Sequence, residues 1–95
     1  MRLIWSRRAV ADLRELRAFV EQDAPGAARR MTERIIESIE TMIPANPQIG
    51  RPGRVPGTRE LVVGGTPYIV PYRVRFADIV ILRVLHGARR WPGQL

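Results

Sequence analysis

Thr66-Pro-Tyr-Ile-Val-Pro-Tyr-Arg-Val-Arg-Phe76, then Ala77-Asp78, then Ile79-Val-Ile-Leu-Arg-Val-Leu-His86: the fold of this chain turns on how these residues alternate. β-Branched and aromatic residues fill both runs, and a two-residue break separates them, which is the pattern of a β-hairpin. Working back toward the N-terminus, Arg59–Val63 is a further strand candidate, ended by Gly64-Gly65, a pair flexible enough for a tight turn. The three strands make an antiparallel meander in sequence order. Side chains alternate faces along a strand. Tyr68, Val70, Tyr72, Val74 and Phe76 therefore share one face, with Ile69, Pro71, Arg73 and Arg75 on the other. In the last strand Val80, Leu82 and Val84 lie with His86, opposed by Ile79, Ile81, Arg83 and Leu85. The all-apolar sets are expected to pack inward. Arg73, Arg75 and Arg83 then share an open face, rimmed by Arg59 and by the loop that carries Arg51 and Arg54.

The first half supplies what packs on the sheet. Arg2-Leu-Ile-Trp5 reads as a short strand closed by Ser6, a good helix N-cap. Ala9/Val10, Leu13, Leu16 and Phe19/Val20 follow at helical spacing, and Arg8–Asp12 and Arg17–Glu21 are expected to pair at i,i+4. Asp23-Ala-Pro-Gly26 breaks this helix, because Pro25 disfavours helical geometry at Ala24 and Gly26 frees the turn. A second helix carries Ala28, Met31, Ile35, Ile39 and Met42 in one stripe and is bounded by Pro44 and Pro47. Two amphipathic helices with a short turn form an antiparallel hairpin. Residues 44–57, with four Pro and three Gly, are an irregular surface connection. The expected class is α+β: an N-terminal strand and a helical hairpin on one face of an antiparallel sheet, one domain over residues 1–95, with 92–95 as a mobile tail.

Composition narrows the chemistry. All sixteen basic residues are arginine. Residues 1–44 set eight of them against seven acids, a net of +1, whereas residues 45–95 set eight against Glu60 and Asp78 only, a net of +6. Such one-sided charge suits a surface that meets a nucleic acid or an acidic protein. Guanidinium binds phosphate and carboxylate in a planar fork but rarely gives up a proton, so these residues stabilise charge and make poor general bases. No cysteine is present, which excludes thiolate catalysis and disulfides, and one histidine makes a His-rich metal site untenable. No cofactor is implied. No segment approaches the ~20 apolar residues of a membrane span, and the N-terminal apolar run is too short for a signal-peptide core. The cytoplasm is the expected location.

A short strand, a helical hairpin, a Gly-Arg-Pro loop, then Arg59-Glu-Leu61, Tyr72-Arg73-Val74 and Ile81-Leu-Arg-Val-Leu-His86 together resemble the RelE/ParE superfamily of bacterial toxins, from about Leu3 to Trp91. The resemblance implies the toxin of a type II toxin–antitoxin pair, silenced in a hetero-oligomeric complex by a small cognate antitoxin whose acidic residues would suit the basic half. RelE-like members cut messenger RNA in the ribosome; ParE-like members poison DNA gyrase.

The residues bear on that division. Cleavage by 2′-OH attack needs a proton acceptor, a proton donor and positive charge on the phosphate. RelE-like toxins are expected to use Lys, Arg and a C-terminal Tyr, or a Glu with a C-terminal His-Tyr pair. This chain has no Lys, its last tyrosine is Tyr72, and His86 precedes Gly87. A nuclease site here would have to rest on Arg59, Arg73, Arg83 and His86. The ParE-like reading is therefore the expectation, with a ribosome-dependent endonuclease and a non-toxic nucleic-acid-binding module as alternatives. Arg51, Arg54, Arg59, Arg73, Arg75, Arg83, Arg89 and Arg90 are the candidate antitoxin or target contacts. His86 is expected to sit at the edge of the core, and Trp91 to pack the tail.

Overall fold

A computed structural model describes all of residues 1–95 and orders the chain as β1 (Arg2–Trp5), α1 (Arg7–Glu21), α2 (Pro25–Ala45), β2 (Arg51–Pro52), β3 (Arg59–Val62), β4 (Tyr68–Arg75), β5 (Asp78–Ile81) and β6 (Leu85–His86). Ser6 starts α1 as its composition suggests: its Oγ accepts from the Ala9 amide at 3.0 Å, filling one of the donors a helix start leaves open. The same hydroxyl donates to the Leu82 carbonyl at 2.7 Å, so the cap also ties α1 to the sheet. Pro25 is the first residue of α2, where its missing N–H costs nothing, and Gly26 lies inside that helix instead of in the turn. Pro44 likewise falls within the last turn of α2 and does not bound it.

The two helices bury one face on the sheet. From α2 come Ala28, Thr32, Ile35, Ile39 and Ile43, and from α1 Ala9 and Leu16. Met42, expected in the stripe, is 41% exposed, because Ile43 one residue on takes the inward position. Thr32 stays satisfied by donating to the Ala28 carbonyl at 2.7 Å. The sheet answers with Leu61, Val63, Tyr68, Val70, Tyr72, Ile79, Ile81 and Val84. Each fully buried isoleucine here contributes about 1.5–3 kcal/mol. The expected pairs Arg8–Asp12 and Arg17–Glu21 do not form; on the helices only Arg29–Glu33 does, at 3.0 Å.

The sheet is mixed, not wholly antiparallel. Its order is β1-β5-β4-β3-β2, with β6 paired to β4 beyond the end of β5. The N-terminal strand runs parallel to β5, with Leu3 opposite Ile79 and Trp5 opposite Ile81. All other pairings are antiparallel.

The last meander strand is also broken. The amides of Leu82 (2.9 Å) and Arg83 (3.4 Å) both donate to the Pro71 carbonyl, two residues opposing one, which makes a β-bulge. The register steps by one residue across it, from Tyr72↔Ile81 to Tyr68↔His86. Before the bulge Ile79 and Ile81 face the helices; after it Val84 and His86 do. The expectation that Val80 and Leu82 pack inward while Ile79, Ile81 and Arg83 lie open is thereby overturned. Both faces of residues 79–82 are apolar, so alternation could not choose between them, and an inserted residue inverts parity.

The β4–β5 turn is Phe76-Ala77, closed by Arg75 opposite Asp78. Phe76 alone among the non-glycine residues has positive φ, at 54°, in the position where a two-residue hairpin of this kind favours glycine. Left-handed backbone at a bulky residue costs about 1–2 kcal/mol. The ring gains no burial in return, being 92% exposed.

Candidate functional site

The eight arginines of the basic half fall into five settings. In the first, Glu60 on β3 is 3% exposed and gathers the Gly-Arg-Pro loop around it. Arg51 donates to its Oε1 through Nε and Nη2 at 3.2 and 3.1 Å. The Arg54 amide donates to Oε2 at 2.8 Å, and the Arg54 guanidinium lies 3.4 Å from the same oxygen. Arg54 also stacks on the Trp91 ring, 3.4 Å from its centre, while Trp91 Nε1 donates to the His86 carbonyl at 3.1 Å. One buried carboxylate thus links loop, sheet and C-terminal segment, and Trp91 packs as expected. Burying a charge is tolerable only with such partners.

Arg59 holds the other end of the loop. Its Nη1 donates to the Gly50 carbonyl at 2.8 Å. Beside it the Tyr72 hydroxyl donates to the Pro47 carbonyl and accepts from the Gly50 amide, both at 2.8 Å. A Cβ at Gly50 would lie 2.6 Å from the Tyr72 ring, so glycine is what lets the backbone approach. Burial pushes the Tyr72 phenol above its ordinary pKa, opposed by the Gly50 hydrogen bond and the Arg59 charge. Arg59 does structural service here and does not rim an open face.

Arg83 is the clearest correction. It lies on the helix side, where Nε and Nη2 grip Asp12 of α1 at 2.7 and 2.9 Å. Asp12 Oδ2 accepts the Val84 amide as well, at 3.0 Å. This carboxylate raises the Arg83 pKa above its ordinary value, chiefly by hydrogen bonding, against the cost of burial. The pair pins the bulge beneath α1. No sequence signal pointed to Asp12, whose nearest basic neighbour by helical spacing was Arg8.

Only Arg73 and Arg75 remain on the open face, opposite Val80 and Asp78. Neither has a hydrogen-bonded partner, whereas Asp78 is occupied by Arg2 at 3.0 and 3.3 Å.

Between α1 and β6 lies a cleft of about 370 Å³ whose wall includes Glu15, Phe19, Tyr68, His86, Arg89 and Arg90. The His86 ring meets Tyr68 edge-on at 5.5 Å, and its Nδ1 accepts from the Ala88 amide at 3.1 Å. Arg89 sits over the Phe19 ring, 5.3 Å from its centre. His86 faces the helix side at a strand end, as its parity suggested, though it reaches that face through the bulge. Of the residues a nuclease would need, Arg83 and His86 line this same cleft, but Arg83 is bound to Asp12, Arg59 binds loop carbonyls, and Arg73 lies on the face opposite His86. No three His, Cys, Asp or Glu side chains come together in a way that would hold a metal, and no helix is long and apolar enough to cross a membrane.

Comparison with known proteins places this geometry. The family model described as ParE toxin of the type II toxin–antitoxin system, parDE, matches residues 3–91. A candidate toxin of Sinorhizobium fredii, Y4kP, is 43% identical over 94 residues, covering 99% of this chain and 96% of that protein. Toxin RelE2 of Caulobacter vibrioides is 36% identical over 87 residues, or 92% and 96% of the two chains. Among solved structures, a chain of a chromosomal ParDE toxin–antitoxin system from P. aeruginosa superposes with a TM-score of 0.82 at 35% identity, over 88% of this chain and 92% of the other.

Proposed function

The chain belongs to the ParE toxin family of type II toxin–antitoxin systems, and from that premise we propose that it arrests growth by poisoning DNA gyrase and is silenced by an acidic antitoxin. One observation carries the choice of target: Arg83, though it shares a cleft with His86, is held by Asp12, Arg59 is held by the loop, and Arg73 lies on the opposite face. A proton-transfer pair flanking a phosphate needs its members within hydrogen-bond reach of one reacting centre. A poison that acts by docking needs no such assembly. The cleft between α1 and β6, part apolar and lined by Arg89 and Arg90, has the chemistry for an antitoxin segment that carries apolar anchors and carboxylates. Both proteins would act in the cytoplasm, as a hetero-oligomeric complex.

Micromolar chain added to gyrase and relaxed plasmid tests this. Loss of supercoiling with accumulation of cleaved DNA is expected, while ribosome-bound mRNA stays intact. An unaffected gyrase reaction overturns the reading. The similarity to RelE2 gives the ribosome reading its footing. Codon-specific cuts in translating ribosomes, lost in His86→Gln, would put that reading first.

A further inference from the structure

The β4–β5 hairpin tip holds charge and an aromatic ring for which the fold has no use. Phe76 is 92% exposed on a left-handed backbone, and no core side chain meets it. Its one cation–π partner is the Arg75 guanidinium, 5.9 Å from the ring centre. Arg73 and Arg75 share the open face and have no carboxylate partner. The acid opposite Arg75, Asp78, is neutralised by Arg2 through two hydrogen bonds. Four other arginines of this half contrast with them, since Arg51, Arg54, Arg59 and Arg83 are held by internal oxygens, whereas Arg89 and Arg90 line the cleft beside α1.

We propose that this tip is a contact for single-stranded nucleic acid, with Arg73 and Arg75 on successive phosphates and a base stacked on Phe76. Two residues apart on one strand face, the arginines sit about 7 Å from one another along the chain. That spacing is close to that of neighbouring phosphates in an extended strand. Guanidinium forks suit phosphate oxygens. An exposed ring beside a basic track is what sequence-tolerant strand binding uses, since every base offers a π-face. A protein partner would need a pocket built for one lone ring. The inference goes beyond the gyrase reading and does not depend on it.

The test is fluorescence anisotropy of a labelled oligothymidine with the full chain. Phe76→Gly is the informative variant, because glycine accepts φ 54° without strain. Its melting temperature should hold or rise while affinity falls about tenfold. Arg73→Ser with Arg75→Ser should weaken binding and lower the slope of log affinity against log salt by about 1.4. The charge-matched Arg14→Ser with Arg17→Ser, on the exposed side of α1, should keep most of the affinity. Wild-type affinity in Phe76→Gly overturns the proposal, as does an equal loss in the α1 variant. So does loss of binding to a polyglutamate peptide with oligothymidine binding intact, which would assign the tip to an acidic protein. The readout is direct binding by the chain alone, so the supercoiling result leaves it unaffected.

Discussion

Arg83 and Arg75 belong to the same β4–β5–β6 region, and the fold treats them in opposite ways. Arg83 is gripped by Asp12 with both side chains largely out of water, 17% and 10% exposed. Arg75 stands in solvent beside an exposed phenylalanine. The first arginine is bound to hold a bulge under α1; the second is left free where the hairpin ends. Equal formal charge therefore does not mean equal availability. A basic half-chain offers a partner only those guanidiniums that its own carboxylates and carbonyls have not already taken.

That contrast can be broken from its bound side first. Asp12→Ala should cost about 3 kcal/mol, since it strands a largely buried guanidinium and the Val84 amide together. For a domain of this size the melting temperature should fall by roughly 10–20 °C in a circular dichroism melt. Glu60→Gln should cost about 2 kcal/mol, less because Arg51 and Arg54 remain about half exposed and can rehydrate. Its Trp91 fluorescence should shift toward that of solvated indole as Arg54 loses its anchor. An unchanged spectrum would show that Glu60 does not hold the C-terminal segment.

Tyr72→Phe should cost about 1.5 kcal/mol by leaving the Gly50 amide and Pro47 carbonyl without their partner. It also carries a pH signature. The folded phenol has a raised pKa, so its contribution is complete below the unfolded value of about 10 and is lost as pH rises past it toward the folded value. Wild-type stability should decline more steeply above that pH than stability of the Phe variant; parallel curves would refute the assignment. The smallest effect belongs to the free side. Arg73→Ser with Arg75→Ser should change stability by less than about 0.5 kcal/mol. Growth arrest on induction should nonetheless weaken, whereas a variant that kept full toxicity would remove this face from target contact.

The elements were largely legible in the sequence, for identifiable reasons. Ser6 announced α1, Asp23-Ala-Pro-Gly26 a break between the helices, and Gly64-Gly65 a hairpin turn, because caps and turns are local chemistry. The inward face of β4 was read correctly from Tyr68, Val70 and Tyr72. The inward face of β5 was not, because Ile79-Val-Ile-Leu82 is apolar on both sides and a bulge left no mark in composition. The site suffered most from this. Arg83 was assigned to the open face by parity and lies on the other, and Arg59 was assigned to its rim and binds a loop. Asp12, Glu60 and Phe76 acquire their roles through partners six to seventy-two residues away or through a backbone angle.

By itself, then, the sequence determined the class of the fold, the concentration of arginine in one half and the lack of an evident acid–base pair. These depend on residue identity and short-range spacing. Only the tertiary structure decided which arginines are free. Pairing of Arg83 with Asp12, Arg51 with Glu60 and Arg2 with Asp78 depends on distances set by strand register, and one inserted residue in a strand is enough to reverse which side of the sheet a guanidinium reaches.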